Sequence, residues 1–500
     1  MTEIKENPIK FYLRKRYLIV FLIFLGYFNL YTNRVNLSVA IVAMTENHTI
    51  HNEDGSISFH KDFDLNSKEK GFALGAFYYG YITTHFLGGV LAKKYGGHLV
   101  CINIFMLSST LIKNNFKKIF NFGLFGTALF SMITPFMSYH GVGYLIAVRV
   151  IVGICSGFSF AAANEVLSKW IPPSERSRSA GYIVAGMNAG TFVANLISGY
   201  ISDIFGWEWI FYLFGIVSLI WSVLWFTIVY RSPEQDPWIT KEEKQFICDS
   251  LAEHGGEQAI QITKTPWKKI LTSLPVWAIV VAQTSYNWGF HTLLTQLPLF
   301  LDEVLAFNLE ESSVISAVPY LFLTILVFIS GFIADWILKK NLLSITKVRK
   351  IFNNSAFILQ MLFLMAAAFL VSPTLVIICI ILSVGFGAPT SCGYTSNLLD
   401  IAPQFSSIIS GISSTIASLP GMISPPLSGF IATTPSVMEY RIIFMIACGI
   451  YLFGAVFYGI FASGDLQPWA LVESSEKDNF EKFEHIIVEK SQVKRIENEV

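Results

Sequence analysis

The sequence predicts an all-α membrane protein with about 12 transmembrane helices, arranged as two pseudo-symmetric six-helix bundles. Three observations carry that expectation: a composition too apolar for a soluble chain, apolar runs of spanning length, and short segments of the first half that recur in order in the second. Of the 500 residues, 53% are hydrophobic and only 14% charged, against about 25% charged in an ordinary soluble protein. That is too little charge to cover a soluble surface, and the 43 phenylalanines suit one that faces lipid. Equal numbers of basic and acidic residues, 35 each, argue against a nucleic-acid footprint. The six cysteines are scattered, without the CxxC or Cys/His spacing of a disulfide framework or zinc site.

In chain order, residues 1–16 form a basic cytosolic tail carrying Lys10, Arg14, Lys15 and Arg16. The apolar run that follows, 17–44, exceeds the roughly 7–15 residues of a signal-peptide core. It is long enough for a spanning helix, which needs about 20 residues. Further spans are expected near 71–92, 121–138, 144–168, 181–203 and 208–230, completing an N-terminal bundle over 17–230. A polar cytosolic loop, 231–272, separates it from spans near 273–301, 312–337, 351–371, 374–396, 406–432 and 440–462, the C-terminal bundle over 273–462. Residues 463–500, with the run ESSEKDNFEKFEH, read as a solvated cytosolic tail.

Basic residues recur in alternate loops: 10–16, Lys93 and Lys94, Lys169 to Arg178, the central loop, and Lys339 to Lys350. The positive-inside rule places those loops and both termini in the cytosol. The loop 45–70 is then extracytosolic, and its Asn47-His48-Thr49 triplet is an N-glycosylation acceptor on the accessible side. The triplet Asn36-Leu37-Ser38 falls inside the first span and is expected to be inaccessible.

The repeat is carried by Gly89-Val-Leu-Ala92, which returns as Gly331-Phe-Ile-Ala334, and by Ser198-Gly-Tyr-Ile201, which returns as Ser428-Gly-Phe-Ile431. Parallel repeats of six spans are a transporter architecture. The separation shrinks from 242 positions to 230 between the two pairs, so the first half holds extra residues. The atypical stretch 101–120, CINIFMLSSTLIKNNFKKIF, accounts for them. Its apolar part is too short to span. It reads either as an interfacial or re-entrant segment or, the preferred reading, as translated non-coding sequence.

Charged groups inside spans mark function by default, because a buried arginine costs roughly 2.5–3.5 kcal/mol on insertion scales. Arg34 lies deep in the first span, on a stripe with Tyr27, Tyr31 and Ser38. Arg149 opens the fourth span in the pattern Arg149-x-x-x-Gly153-x-x-x-Gly157, whose glycines admit a close neighbouring helix. Few carboxylates are available to neutralise these arginines, so an anionic substrate would supply the countercharge. The bland alternatives are that Arg34 bonds backbone carbonyls or Asn33 and Asn36, and that Arg149 snorkels to the interface. Span seven carries Gln283, Asn287 and His291 at steps of four, with Tyr286 beside them, a stripe expected to face Arg34 across the pseudo-twofold axis. Gly385, Gly387, Pro389 and Gly393 are expected to break span ten.

The segments RVNLSVAIVAM at 34–44, FYYGYITTHFLGG at 77–89, KWIPPSERSRSAG at 169–181, SLPVWAIVVAQTSYNWGFHTLLTQLP at 273–298, NLLDIAPQF at 397–405 and SGDLQPWA at 463–470 together resemble the major facilitator superfamily. Within it they resemble solute carrier family 17, the anion/cation symporters that include sialin-like, vesicular glutamate and sodium–phosphate cotransporter-like carriers. The resemblance covers about residues 16–470, apart from 101–120.

The resemblance implies a secondary active symporter working by alternating access. It would move organic anions (sialic-acid-like or acidic amino-acid-like) or inorganic phosphate, with Arg34 and Arg149 binding the anion and no cofactor beyond co-transported H⁺ or Na⁺. Proton-coupled members carry glutamates where this chain has Val152 and Ser156, and vesicular glutamate carriers an arginine at Tyr286. Proton coupling would therefore need a relocated group, for which His85, His291 and Glu165 are candidates; for Glu165 an i,i+4 pair with Lys169 is the plainer reading. Lys93 and Asp335 would latch the cytosolic gate from equivalent loops. An enzyme is not expected, since no HExxH or nucleophile constellation is present; a transport-silent anion sensor is the alternative. The lipid bilayer and a small anion are the expected partners, nucleic acid is not, and a monomer is expected. The plasma membrane is favoured over lysosomal or vesicular membranes.

Overall fold

The computed structural model describes residues 14–46, 48–51, 57–95, 116–172, 175–230, 232–258 and 266–470. The N-terminal half contains α1 (Lys15–Thr45), α2 (Ser67–Tyr95), α3 (Phe116–Ser138), α4 (Val142–Trp170), α5 (Arg176–Phe205) and α6 (Glu208–Ile228). Two helices of the central loop follow, α7 (Lys241–Gln258) and the short α8 (Trp267–Leu271). The C-terminal half contains α9 (Leu274–Glu303), α10 (Leu309–Lys339), α11 (Ile345–Phe369), α12 (Pro373–Gly385), α13 (Tyr394–Ile401), α14 (Ser406–Ile416), α15 (Leu419–Ile431) and α16 (Val437–Phe461). α12 with α13, and α14 with α15, are single spans broken in the middle, so each half contributes six spans.

Among the described residues, six segments cross a membrane on length and apolarity alone: α1, α6, α10, α11, the α12–α13 span and α16. α9 falls short because it carries Gln283, Asn287, His291 and Gln296, side chains that face protein rather than lipid. In a bilayer a helix satisfies its own backbone groups, and a polar stripe is tolerated where it is covered. Helix starts follow local chemistry. Asn308 and Glu311 form a reciprocal capping box at α10, while Ser344 and Ser436 cap α11 and α16.

Span ten breaks where its glycines and proline predict: α12 ends at Gly385, a 3₁₀ turn covers Ala388–Ser391, and α13 resumes at Tyr394. Three other expectations are corrected. α3 begins at Phe116, inside the stretch read as an insert, because Phe116, Ile119 and Phe120 extend the apolar run of the third span. Residues 101–115 lie outside the described residues. Lys93 and Asp335 stand in the last turns of α2 and α10, not in loops. The start of the C-terminal tail is packed rather than solvated: the Gln467 amide donates to the Ile401 carbonyl at 2.9 Å, and Trp469 lies on Phe405. The extracytosolic loop forms a small antiparallel hairpin, β1 (His48–His51) with β2 (Ile57–His60), in register His48 to His60. It is the one departure from an all-helical chain among the described residues.

The family motifs meet at the cytosolic ends. In NLLDIAPQF, the Asn397 amide donates to the Tyr458 hydroxyl at 3.0 Å, and Asp400 pairs with Arg349 at 2.6 Å. At the cytosolic start of α1, Arg16 pairs with Glu175 of the α4–α5 loop and with Glu243 of α7.

The two halves close at the end that the basic loops predict to be extracytosolic. A Cβ at Gly71 would lie 2.6 Å from the Pro425 carbonyl oxygen, one at Gly75 3.1 Å from the Pro426 ring, and one at Gly429 2.2 Å from the Ser67 carbonyl oxygen. α2 and α15 therefore touch main chain to main chain. Lys70 Nζ lies 2.6 Å from Glu303 Oε1 across the same seam, and Tyr440 donates to Glu303 at 3.4 Å. Toward the cytosol, Cβ atoms at Gly181, Gly331 and Gly411 would meet nothing, and Tyr182, Phe332 and Asp335 are exposed.

Candidate functional site

Arg34 sits halfway along α1 inside a cage of aromatic rings. Its guanidinium carbon lies 4.7 Å from the ring centroid of Tyr78, 5.0 Å from Tyr31, 5.2 Å from Phe77 and 5.4 Å from Tyr81. One N–H donates to the Tyr31 hydroxyl at 3.2 Å, and Nε is buried without a hydrogen-bond partner. Among the described residues no carboxylate pairs with it. A cation over an aromatic face gains about 0.5–2 kcal/mol. Four faces therefore offset a burial cost of roughly 2.5–3.5 kcal/mol without neutralising the charge. The positive field stays available to an anion.

Tyr27, Leu30, Tyr31, Arg34, Phe77, Tyr81 and Ser156 line one small pocket. Three of the four members of the α1 stripe thus share it. The fourth, Ser38, is buried and donates to its own helix at Val35. Phe77, Tyr78 and Tyr81 are site residues that reasoning from spacing missed. The signal was present in FYYGY, where i, i+1 and i+4 fall on one helical face.

Arg149 does something different from what its sequence position suggested. It is 2% exposed and does not snorkel. Its guanidinium donates to the Asn33 carbonyl at 3.2 Å, to Asn36 Oδ1 at 3.0 Å and to the Arg34 carbonyl at 2.9 Å. The backbone-and-asparagine bonding weighed as the bland reading of Arg34 is thus the arrangement of Arg149. Three of its donors are spent on α1, leaving Nε unpartnered. Beside this network α4 packs closely on α2, because Gly80, Gly153 and Gly157 carry no side chain. A Cβ at Gly153 or Gly157 would lie 1.9 Å from the Phe77 carbonyl oxygen or the Thr84 hydroxyl.

Val152 is buried against Phe77 and Tyr78. Ser156 lines the Arg34 pocket, donates to the Val152 carbonyl at 2.8 Å and contacts the Thr127 hydroxyl at 2.9 Å. A carboxylate at position 156 would share Arg34's pocket.

The α9 stripe does not face Arg34 as a unit. Gln283 bonds Ser413 and Ser414, and Asn287 donates to the Ala417 carbonyl at 2.6 Å. Both amides hold the break between α14 and α15, where freed backbone groups need partners. Tyr286 packs on the break in span ten, where a Cβ at Gly387 would lie 2.9 Å from its ring. His291 hydrogen-bonds across to the N-terminal half: its Nδ1 lies 3.4 Å from the Tyr78 hydroxyl, with ring centroids 4.7 Å apart. The side chains of His85, Lys93 and Glu165, and residue Asn47, lie outside what the structure describes.

The comparisons with known proteins agree with this architecture. The Major Facilitator Superfamily model matches residues 23–425. Sialin of Ovis aries is 37% identical over 477 residues, covering 91% of each chain. Vesicular glutamate transporter 2 of Bos taurus is 35% identical over 469 residues, covering 94% of this chain and 77% of its own. Among solved structures, an inward-facing, unoccupied bacterial homologue of the human lysosomal transporter Spinster superposes with a TM-score of 0.64 at 14% identity, over 91% of this chain and 99% of that one. A D-xylose–proton symporter gives 0.63 at 13% identity, over 90% and 99%. The chain belongs to the major facilitator superfamily and, within it, to solute carrier family 17.

Proposed function

We propose that this protein is a secondary active transporter that carries organic anions across a membrane by alternating access, with Arg34 as the group that takes the anion. The observation that carries the reading is the Arg34 cage: a buried guanidinium without a paired carboxylate among the described residues, with Nε unused, lining a small pocket with Tyr27, Tyr31 and Tyr81. Relatives named sialin and vesicular glutamate transporter support an organic anion over inorganic phosphate. Arg149 acts by shaping α1 beneath Arg34. Tyr27 and Tyr31 form the wall of the pocket.

The coupling ion is H⁺ or Na⁺. Val152 and Ser156 supply no titrating group beside Arg34, which raises Na⁺ coupling or facilitated flux to the same footing as proton symport. The protein is an integral, multi-pass membrane protein. Relatives named for vesicles favour an endomembrane compartment over the plasma membrane that the sequence alone favoured. No catalytic role is proposed, and one chain holds a complete site.

The test is uptake into proteoliposomes of labelled N-acetylneuraminate, glutamate and phosphate, with pH and Na⁺ gradients imposed separately. Saturable uptake of an organic anion, driven by one of the gradients or running down its own, is expected. Binding without flux of any of the three would return the chain to the sensor reading.

A further inference from the structure

Tyr78 lies against Arg34 in the N-terminal half and hydrogen-bonds a residue of the C-terminal half. Its ring sits 4.7 Å from the Arg34 guanidinium carbon. Its hydroxyl lies 3.4 Å from His291 Nδ1 of α9, and donates to it in the tautomer that carries the ring proton on Nε2. Its ring also fills the space left by Gly421 of α15, where a Cβ would lie 2.3 Å from the ring. Both Tyr78 and His291 are buried, at 3% and 4% exposure. On the extracytosolic side the seam continues as backbone contact through Gly75, Gly71 and Gly429. Tyr78 is thus the innermost layer of the closed seam and one face of the anion pocket at once.

We infer that Tyr78 couples anion binding to the closure of the extracytosolic seam, by giving its hydroxyl to the anion when the seam is open and to His291 when it is closed. The inference rests on the reading of Arg34 as the anion ligand and adds to it a residue that sets the direction of handover.

The argument is one of alternatives for a buried hydroxyl. Opening the seam separates α2 from α9 and α15, so Tyr78 loses His291 and Gly421 together. A buried hydroxyl left without a partner is costly, and the acceptor then within reach is the anion on Arg34. Closing the seam restores His291 as the partner and takes that donor from the anion. The anion is therefore held by Arg34 and Tyr78 together when it enters from the extracytosolic side, and by Arg34 without that hydroxyl when it faces the cytosol. A ligand shifts a two-state equilibrium only by its difference in affinity for the two states, and one hydrogen bond supplies such a difference. Arg34 stays caged by Tyr31, Phe77 and Tyr81 throughout, since all four belong to α1 and α2.

The experiment measures KM from each face separately, in proteoliposomes of uniform orientation, with labelled N-acetylneuraminate and glutamate as probes. Tyr78→Phe keeps the ring over Arg34 and against Gly421 and removes only the hydroxyl. It is expected to raise the extracytosolic KM about three- to tenfold, the worth of one hydrogen bond, and to leave the cytosolic KM within about twofold. His291→Phe removes the competing acceptor. It is expected to lower the cytosolic KM, because the hydroxyl then stays with the anion, and it carries the test alone if Tyr78→Phe does not fold. An equal change on both faces in Tyr78→Phe, no change on either, or an unaltered cytosolic KM in His291→Phe overturns the inference. Wild-type protein that carries neither probe overturns the anion reading as well, so the two failures are distinguishable.

Discussion

Arg149 donates to the main-chain carbonyl of Arg34 across 2.9 Å, so one arginine fixes the backbone that presents the other. These two arginines are therefore not equivalent. One is spent on the helix, and the other faces aromatic rings without a carboxylate partner among the described residues.

Replacing each in turn separates those roles. Arg34→Ala is expected to lower uptake on the order of 100-fold, the cost of losing one member of a buried charge pair, with thermal stability in detergent unchanged. Arg149→Met is expected to lose uptake and stability together. It leaves three acceptors on and beside α1 without their donor, which costs about 2–4 kcal/mol. Thermal unfolding of the purified variants, read beside flux, decides it; an Arg149 variant that loses flux at wild-type stability would place that residue on the anion instead.

The Lys70–Glu303 pair sits across the closed seam, with side chains only 12% and 16% exposed. It exists only while the extracytosolic side is shut. Lys70→Ala is expected to shift the balance toward the outward-open form about fivefold, as for a loss near 1 kcal/mol. A cysteine placed at Gln296, buried below this seam, would then react faster with an impermeant thiol reagent added from outside. The exchanged pair Lys70→Glu with Glu303→Lys is expected to restore slow labelling.

Ser156→Glu puts a carboxylate into the pocket of Arg34. Ionised, it occupies the guanidinium and competes with the anion; protonated, it releases it. Uptake by this variant is expected to rise steeply as pH falls through the range where that carboxyl titrates, while the parent protein changes less over the same range at fixed Na⁺. A pH profile of uptake for both proteins is the measurement, and parallel profiles would count against the shared pocket.

Gly153→Leu is expected to prevent accumulation of folded protein. The added side chain would start 1.9 Å from a main-chain oxygen of α2, and backbone cannot yield as a side-chain end does. Overpacking of a core costs typically about 1–3 kcal/mol even where side chains can shift. Total full-length protein recovered in the membrane fraction and measured by antibody, compared with Gly449→Leu where nothing lies near the added carbon, separates this from a general intolerance of leucine.

The spans were legible because lipid imposes one rule on every residue that faces it, and their predicted bounds needed extension by only a few residues. The break of span ten was legible for the same kind of reason, since three glycines and a proline leave a helix few options. What was not legible was which polar stripe faces which partner. Gln283, Asn287 and His291 share one face by period, yet two of them serve the broken span and one crosses to the other half. Period gives a face, and only the rotation of the helix in its bundle says what that face meets. Tyr78 escaped notice because a tyrosine in an aromatic run has no signature until its hydroxyl finds a partner.

The seam between α2 and α15 is closed by glycines and prolines rather than by long side chains. Long side chains can swing aside one at a time and let water or a stray ion slip past; main chain cannot. Such a wall parts along its length or not at all, since Gly71, Gly75 and Gly429 are rigidly spaced on their helices. A membrane that keeps an ion gradient across this protein would then lose little of it to leakage while the carrier waits unloaded.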